Sequence, residues 1–263
     1  MSVAAISQFP LLVLGLAAIV GAVIGSFITL ITYRLPRGEK IAMVRSHCTQ
    51  CHNMLGIKDL VPVLSWAYWR GKCRVCRTPI STRYPLTELA CAIGALVVVW
   101  AYGLTLEAVA ITGLWWCIVA IIVTDLEHYI ILDEVQIATA LFGVLYVYVQ
   151  NIPWLQPAMA AVAGVTVGLA LKYGFLWCCK KDGLGMGDVK FLGVAGIWLS
   201  NAFNFVPFLF FSGLLGIVSG LLWRWLSGSE RFPFGPALAL ALLLCVLVPQ
   251  APNGFWKLYG ALQ

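Results

Sequence analysis

Apolar runs of bilayer-crossing length recur along most of the chain, each closed by a short polar or Pro/Gly-containing break. A membrane-spanning helix needs about 20 mostly apolar residues. Runs of this kind lie near residues 9–33, 84–103, 107–124, 133–150, 155–179, 189–203, 205–226 and 234–250. The pattern predicts an all-α polytopic membrane protein with about eight transmembrane helices, the sixth of them short and open to being tilted or re-entrant. Only the stretch 34–83 is long and polar. The expected organisation is therefore a first transmembrane helix in 1–33, a loop domain in 34–83, and a core of about seven helices in 84–263.

Composition agrees with this pattern. Of 263 residues, 61% are hydrophobic and 11% charged, where an ordinary soluble domain carries roughly 25% charged residues. A soluble globular protein is excluded, and the high hydrophobicity also excludes intrinsic disorder. The net charge of +6 bears on membrane orientation and not on nucleic acid, because Lys and Arg accumulate in cytoplasmic loops. If eight helices alternate, the segments 34–83, 125–132, 180–188 and 227–233 share one side. With the charges within a turn of their ends, they hold all of the 17 basic residues except Lys172 and Lys257. The amino terminus is then expected outside and the 34–83 stretch inside. Met1 to Pro10 contain no Lys or Arg, and the apolar run exceeds a typical signal-peptide core. The first segment reads as a permanent helix.

Four of the nine cysteines fall in the polar stretch, as Cys48-Thr49-Gln50-Cys51 and Cys73-Arg74-Val75-Cys76, with 21 residues between the pairs. This spacing is close to that in which four thiolates surround one zinc ion tetrahedrally. A cytoplasmic loop is reducing, which disfavours disulfides. Structural zinc is the expectation, with redox pairs or unused thiols as alternatives. His47 and His52 flank the first pair as possible substitute ligands. Cys91, Cys117, Cys178, Cys179 and Cys245 lie in or beside apolar helices and read as packing residues.

The acids are few, so their placement is informative. Asp125 closes the apolar run Ile121-Ile122-Val123-Thr124, and Asp188 follows Gly185-Met186-Gly187 directly before another run. A carboxylate near hydrocarbon costs at least a few kcal/mol. Asp188 is placed where the positive end of a helix favours an anion, whereas Asp125 sits at a negative end. Two aspartates at one depth could share a proton, one taking a proton from water while the other gives one to a carbonyl oxygen or leaving amine. Asp133 reads as an amino-terminal helix cap. Glu127, Glu134 and Asp182 read as loop charges, Lys190 as a partner of Asp188 or a mark of the membrane edge, and His128 as interfacial.

These residues resemble those of the type IV prepilin peptidases, membrane aspartic proteases with a Gly-x-Gly-Asp signature. The likeness runs through Gly25-Ser26-Phe27, Arg34-Leu35-Pro36, the cysteine pairs enclosing Pro62-Val63-Leu64-Ser65-Trp66 and Arg70-Gly71-Lys72, then Ile80-Ser81 and Arg83-Tyr84-Pro85 with Glu88. It continues through Asp125-Leu126-Glu127-His128 with Asp133, Gly185-Met186-Gly187-Asp188-Val189-Lys190, and Phe234-Gly235-Pro236. The resemblance implies catalytic roles for Asp125 and Asp188 and a zinc-ligand tetrad at Cys48, Cys51, Cys73 and Cys76. It further implies a bacterial inner-membrane enzyme that cuts the basic leader from type IV prepilins or pseudopilins on the cytoplasmic side. S-adenosylmethionine-dependent methylation of the new amino terminus is implied as well, with Gly71 and Glu88 in the stretch associated with it. The chain has Thr29 where the family usually shows Asn, and Leu132 where it shows Pro.

Two other classes compete. A proton- or cation-coupled transporter would also use paired carboxylates, but should place them at the bilayer midplane in two related halves. A membrane-anchored zinc module that recruits partners would leave the Gly-x-Gly-Asp segment unexplained.

Overall fold

Each of the eight apolar runs carries a helix in the computed structural model, which describes residues 11–41, 45–180, 183–228 and 232–247. Lys181, Asp182, Arg231 and Lys257, which entered the charge and acid analysis, lie outside these residues. The helices are α1 (Leu11–Arg34), the short α2 (Leu64–Tyr68), α3 (Arg83–Tyr102), α4 (Leu106–His128), α5 (Asp133–Val149), α6 (Leu155–Cys179), α7 (Met186–Leu199), α8 (Phe205–Ser227) and α9 (Gly235–Leu247). Among the described residues no β-strand forms, only isolated bridges from His47 to Met54 and from Lys72 to Pro79.

Among the described residues five helical stretches are long and apolar enough to cross a membrane: Leu11–Arg37, Arg83–Tyr102, Leu106–His128, Leu155–Cys178 and Phe205–Ser227. The other three are shorter, with 17 residues in α5, 14 in α7 and 13 in the described part of α9. Eight helical segments match the sequence pattern, while length and composition alone give five crossings. The wide exposure of Leu16, Ile19, Ile217 and Leu221 suits a lipid surroundings and would be an aggregation surface in water.

The chain divides into two compact units, Met1–Val123 and Thr124–Gln263. In the first, α1 lies along α3 at backbone contact. A Cβ on Gly21 would stand 2.6 Å from the Cys91 carbonyl oxygen, and one on Gly25 would stand 2.6 Å from the Glu88 Cα. Small residues let membrane helices approach this closely. The guanidinium of Arg83 donates to the Thr32 hydroxyl and the Thr29 carbonyl, tying the start of α3 to the end of α1. Thr29, at the position where an Asn was expected, spends its hydroxyl on the Ser26 carbonyl 2.7 Å away.

In the second unit, α7 is the buried centre. Phe191, Leu192 and Trp198 are almost fully enclosed, and the Trp198 indole N–H donates to the Thr139 carbonyl at 2.9 Å. The α6–α7 seam is made of glycines: a Cβ on Gly196 would meet the Ala160 carbonyl oxygen at 2.4 Å, and one on Gly164 the Leu192 carbonyl oxygen at 2.3 Å. Because backbone cannot yield as a side chain can, Gly196→Val is expected to destabilise the second unit by about 1–3 kcal/mol. Gly213, with nothing within 4 Å of an added Cβ, should accept alanine without loss. Thermal unfolding in detergent checks both, the midpoint falling for the first variant only.

Candidate active site and four-cysteine centre

Asp125 lies in the last turn of α4, which runs on through His128 before the chain breaks at Tyr129 with φ 56°. The Ile121-Ile122-Val123-Thr124 run ahead of it keeps the helix apolar, so the carboxyl is delivered into a packed interior with 5% exposure. Its Oδ2 accepts the Gly235 N–H at 2.7 Å. Residues 130–132 then lead, extended at Leu132, into α5.

Asp188 is the third residue of α7. Gly185 occupies the cap position, and its N–H donates to Asp188 Oδ2 at 3.1 Å, one half of the reciprocal pattern that satisfies the free amides of a helix start. The Gly-x-Gly turn is close-fitted from two sides. A Cβ on Gly187 would lie 3.4 Å from Ile131 Cβ, and the buried Gln136 amide donates to the Gly187 carbonyl at 3.3 Å. From α6, Lys172 Nζ donates to the Leu184 carbonyl at 3.1 Å. The structure brings the two aspartates together: the charge of Asp125 acts on the Asp188 carboxyl, and the charge of Lys172 opposes it. Each carboxyl has one oxygen held by a glycine amide, and such a pair can share a proton across a bound water.

The neighbouring charges differ in part from the sequence reading. Lys190 pairs with Asp133, its Nζ 2.7 and 2.8 Å from the two carboxylate oxygens, and not with Asp188. Asp133 is the first residue of α5 and not its cap; Leu132 holds the cap position without a side-chain bond, since leucine has no acceptor to offer. Sequence reasoning missed the Gly235 contact. The signal available was a glycine followed by proline at the start of the last apolar run.

In the first unit, the two cysteine pairs fold as two copies of one turn. The Cys48 N–H donates to the Asn53 carbonyl and the His52 N–H to the Cys48 carbonyl; in parallel, Cys73 donates to Thr78 and Arg77 to Cys73. His52 and Arg77 take the same left-handed conformation, φ 54° and 60°. The four sulfurs lie within 4.8 Å of one another, with Cys48 and Cys76 at 3.8 Å, and all are free thiols. Tetrahedral thiolates about 2.3 Å from one ion would stand about 3.8 Å apart, so the cluster fits a metal ion. The Thr78 hydroxyl, 3.2 Å from Cys76 Sγ, and the Thr78 amide lower that thiol to about 6, toward the thiolate a metal requires. His47 and His52 lie outside the cluster, their rings 5.8 Å apart.

Glu88 and Gly71, singled out in the sequence, have structural partners. Glu88 is buried and its Oε2 accepts the Val63 N–H at 2.7 Å. That bond holds Val63 at φ 61°, a conformation a β-branched residue avoids. Gly71, at φ 67°, packs where a Cβ would stand 2.8 Å from the Trp66 ring.

Comparison with known proteins places two family models on the chain. The bacterial peptidase A24 N-terminal domain matches residues 19–102, and the type IV leader peptidase family matches residues 111–221. The prepilin leader peptidase/N-methyltransferase of Pseudomonas putida is 32% identical, over 88% of this chain and 89% of its own. The type 4 prepilin-like proteins leader peptide-processing enzyme of Escherichia coli O78:H11 is 31% identical, over 89% of this chain and 93% of its own. The prepilin leader peptidase/N-methyltransferase of Aeromonas hydrophila is 30% identical, over 90% of this chain and 91% of its own. No solved structure matches.

The Lys190–Asp133 pair is more than half exposed on both sides, so solvent screening limits its worth. A double-mutant cycle with Lys190→Ala and Asp133→Ala, read by unfolding in detergent, should give a coupling of about 0.2–1 kcal/mol.

Proposed function

This chain belongs to the type IV leader peptidase family, and from that footing we propose an aspartic endopeptidase that removes the basic leader from type IV prepilins or pseudopilins and methylates the amino terminus so exposed. The observation that carries the peptidase reading is the convergence of Asp125 and Asp188 within mutual electrostatic range, each with one oxygen fixed by a glycine amide. A water between the two remaining oxygens loses a proton to one carboxylate as it attacks the scissile carbonyl. The other carboxyl protonates the carbonyl oxygen; on collapse of the tetrahedral species the first gives its proton to the leaving amine while the second takes one back from the gem-diol. No covalent intermediate is needed. The family relation supports this chemistry and not the transporter reading.

The polar loop faces the cytoplasm of a bacterial inner membrane, with the amino terminus outside, on the basic-residue asymmetry of the loops. A basic leader then meets the enzyme on the cytoplasmic side while the apolar part of the substrate stays among helices. The scissile segment must be extended there, because a helical backbone keeps its carbonyls engaged in internal hydrogen bonds. Cys48, Cys51, Cys73 and Cys76 hold zinc, which supplies folding free energy to a loop with little core of its own. The methyl donor is S-adenosylmethionine; no feature of the described residues marks out its seat.

Asp125→Asn and Asp188→Asn should each slow leader removal by at least about 10²-fold while the protein still inserts, as read by mass spectrometry of a purified prepilin incubated with the enzyme. Cleavage at the unmodified rate by either variant would defeat the assignment. Elemental analysis of the purified protein should return one zinc per chain, and Cys73→Ser should lose it together with part of the thermal stability. A metal-free unmodified protein of unchanged stability would remove the zinc.

A further inference from the structure

We propose that Gly235 is a positioning residue for the hydrolysis, its backbone N–H fixing one oxygen of Asp125 so that the other is turned to the attacking water. The inference rests on the reading of Asp125 as catalytic and adds a residue that reading does not require. Four observations converge on it. The N–H to Oδ2 distance is 2.7 Å, with Gly235 buried and Asp125 5% exposed, so water does not compete for the bond. A Cβ at position 235 would stand 2.8 Å from Oδ2, 3.0 Å from Cγ and 3.2 Å from Cβ of Asp125. The φ of Gly235 is not positive, so the backbone does not demand glycine there; the approach of the carboxyl does. Finally, the donors of the first turn of α9 are accounted for. Pro236 has no N–H and Ala237 donates to the Phe234 carbonyl at 3.0 Å, which leaves the Gly235 amide as the one aimed at Asp125.

The segment ahead of Gly235 is itself anchored. The Phe234 ring lies against Gly216 of α8, 2.5 Å from where a Cβ would be, and stacks edge-on to Phe232 at 6.1 Å. The donor is therefore carried on a turn wedged into a neighbouring helix, so that its direction is set before a substrate arrives. Preset donors of this kind avoid reorganisation during reaction. The matching contact of the Gly185 amide with Asp188 Oδ2 is built within one helix turn; the Gly235 contact joins residues 110 apart in the chain.

The test uses the full chain in detergent with a prepilin substrate, in three forms. Gly235→Ala adds the Cβ. A backbone ester at position 235, made by cell-free incorporation of glycolic acid in place of Gly235, replaces the N–H by oxygen without adding a side-chain atom, at the cost of a weaker Phe234 acceptor for Ala237 and Leu238. Asp125→Asn is the reference. The expected result is a fall in kcat of about tenfold to 10²-fold for the ester form, with KM within about twofold and the thermal midpoint unchanged; Gly235→Ala should fall at least as far. Cleavage by the ester form at the unmodified kcat overturns the proposal. So does an ester form that fails to fold, the amide then being a requirement of the fold. If Gly235→Ala alone unfolds, the ester form decides. If Asp125→Asn cleaves normally, the reading of Asp125 falls first, and the result is distinct from a silent ester.

Discussion

A carboxyl group buried at the end of an apolar helix is a costly feature of the second unit, and much of the local architecture answers to it. Transfer of an isolated carboxylate from water to such surroundings is prohibitive without partners. Asp125 obtains a donor from a residue 110 positions later, which commits the last apolar helix to begin beside the end of α4. It also lies in electrostatic reach of Asp188, which commits the start of α7 to the same place. One buried acid thus specifies where three helix ends must meet. The glycines of these ends follow, since only residues without side chains let backbone reach the carboxyls.

The first unit solves a different problem. A polar loop of about fifty residues has too little apolar surface to hold itself together, and its two matched turns bring four sulfurs to a common point in place of a core. Glu88 then links loop to helix pair: its carboxyl accepts the Val63 amide while Gly25 of α1 presses on its backbone. The held strain at Val63 is of the sort that persists only where surroundings over-determine it.

Much of this was legible in the sequence because the dominant signals are local. Apolar runs marked the eight longer helices to within a few residues, and paired Cys-x-x-Cys spacing marked the sulfur cluster. The run before Asp125 and the glycines before Asp188 marked the acids, although the helix carrying Asp125 continues three residues beyond it, to His128. What the sequence did not disclose was pairing at a distance. Lys190 reaches Asp133 and not the adjacent Asp188, because the first turn of α7 points that aspartate back at its own cap. The Gly235 contact left only a Gly-Pro pair at the start of a run, which does not name the partner of the amide. Crossing number was also illegible: the sixth run already read as short, but hydropathy reports apolarity and does not say whether so short a helix crosses.

The brevity of those helices bears on how a hydrolase can work at a lipid boundary. At 1.5 Å per residue, the 14 residues of α7 rise about 21 Å and the 17 of α5 about 25 Å, short of the roughly 30 Å hydrocarbon slab. Lipid around such elements must compress, or polar solvent must fill the shortfall. Asp188 sits in the first turn of the shorter one and Asp133 in the first turn of the other. A shortfall at these helix ends would bring ordinary water, the reactant of hydrolysis, close to the acids they carry.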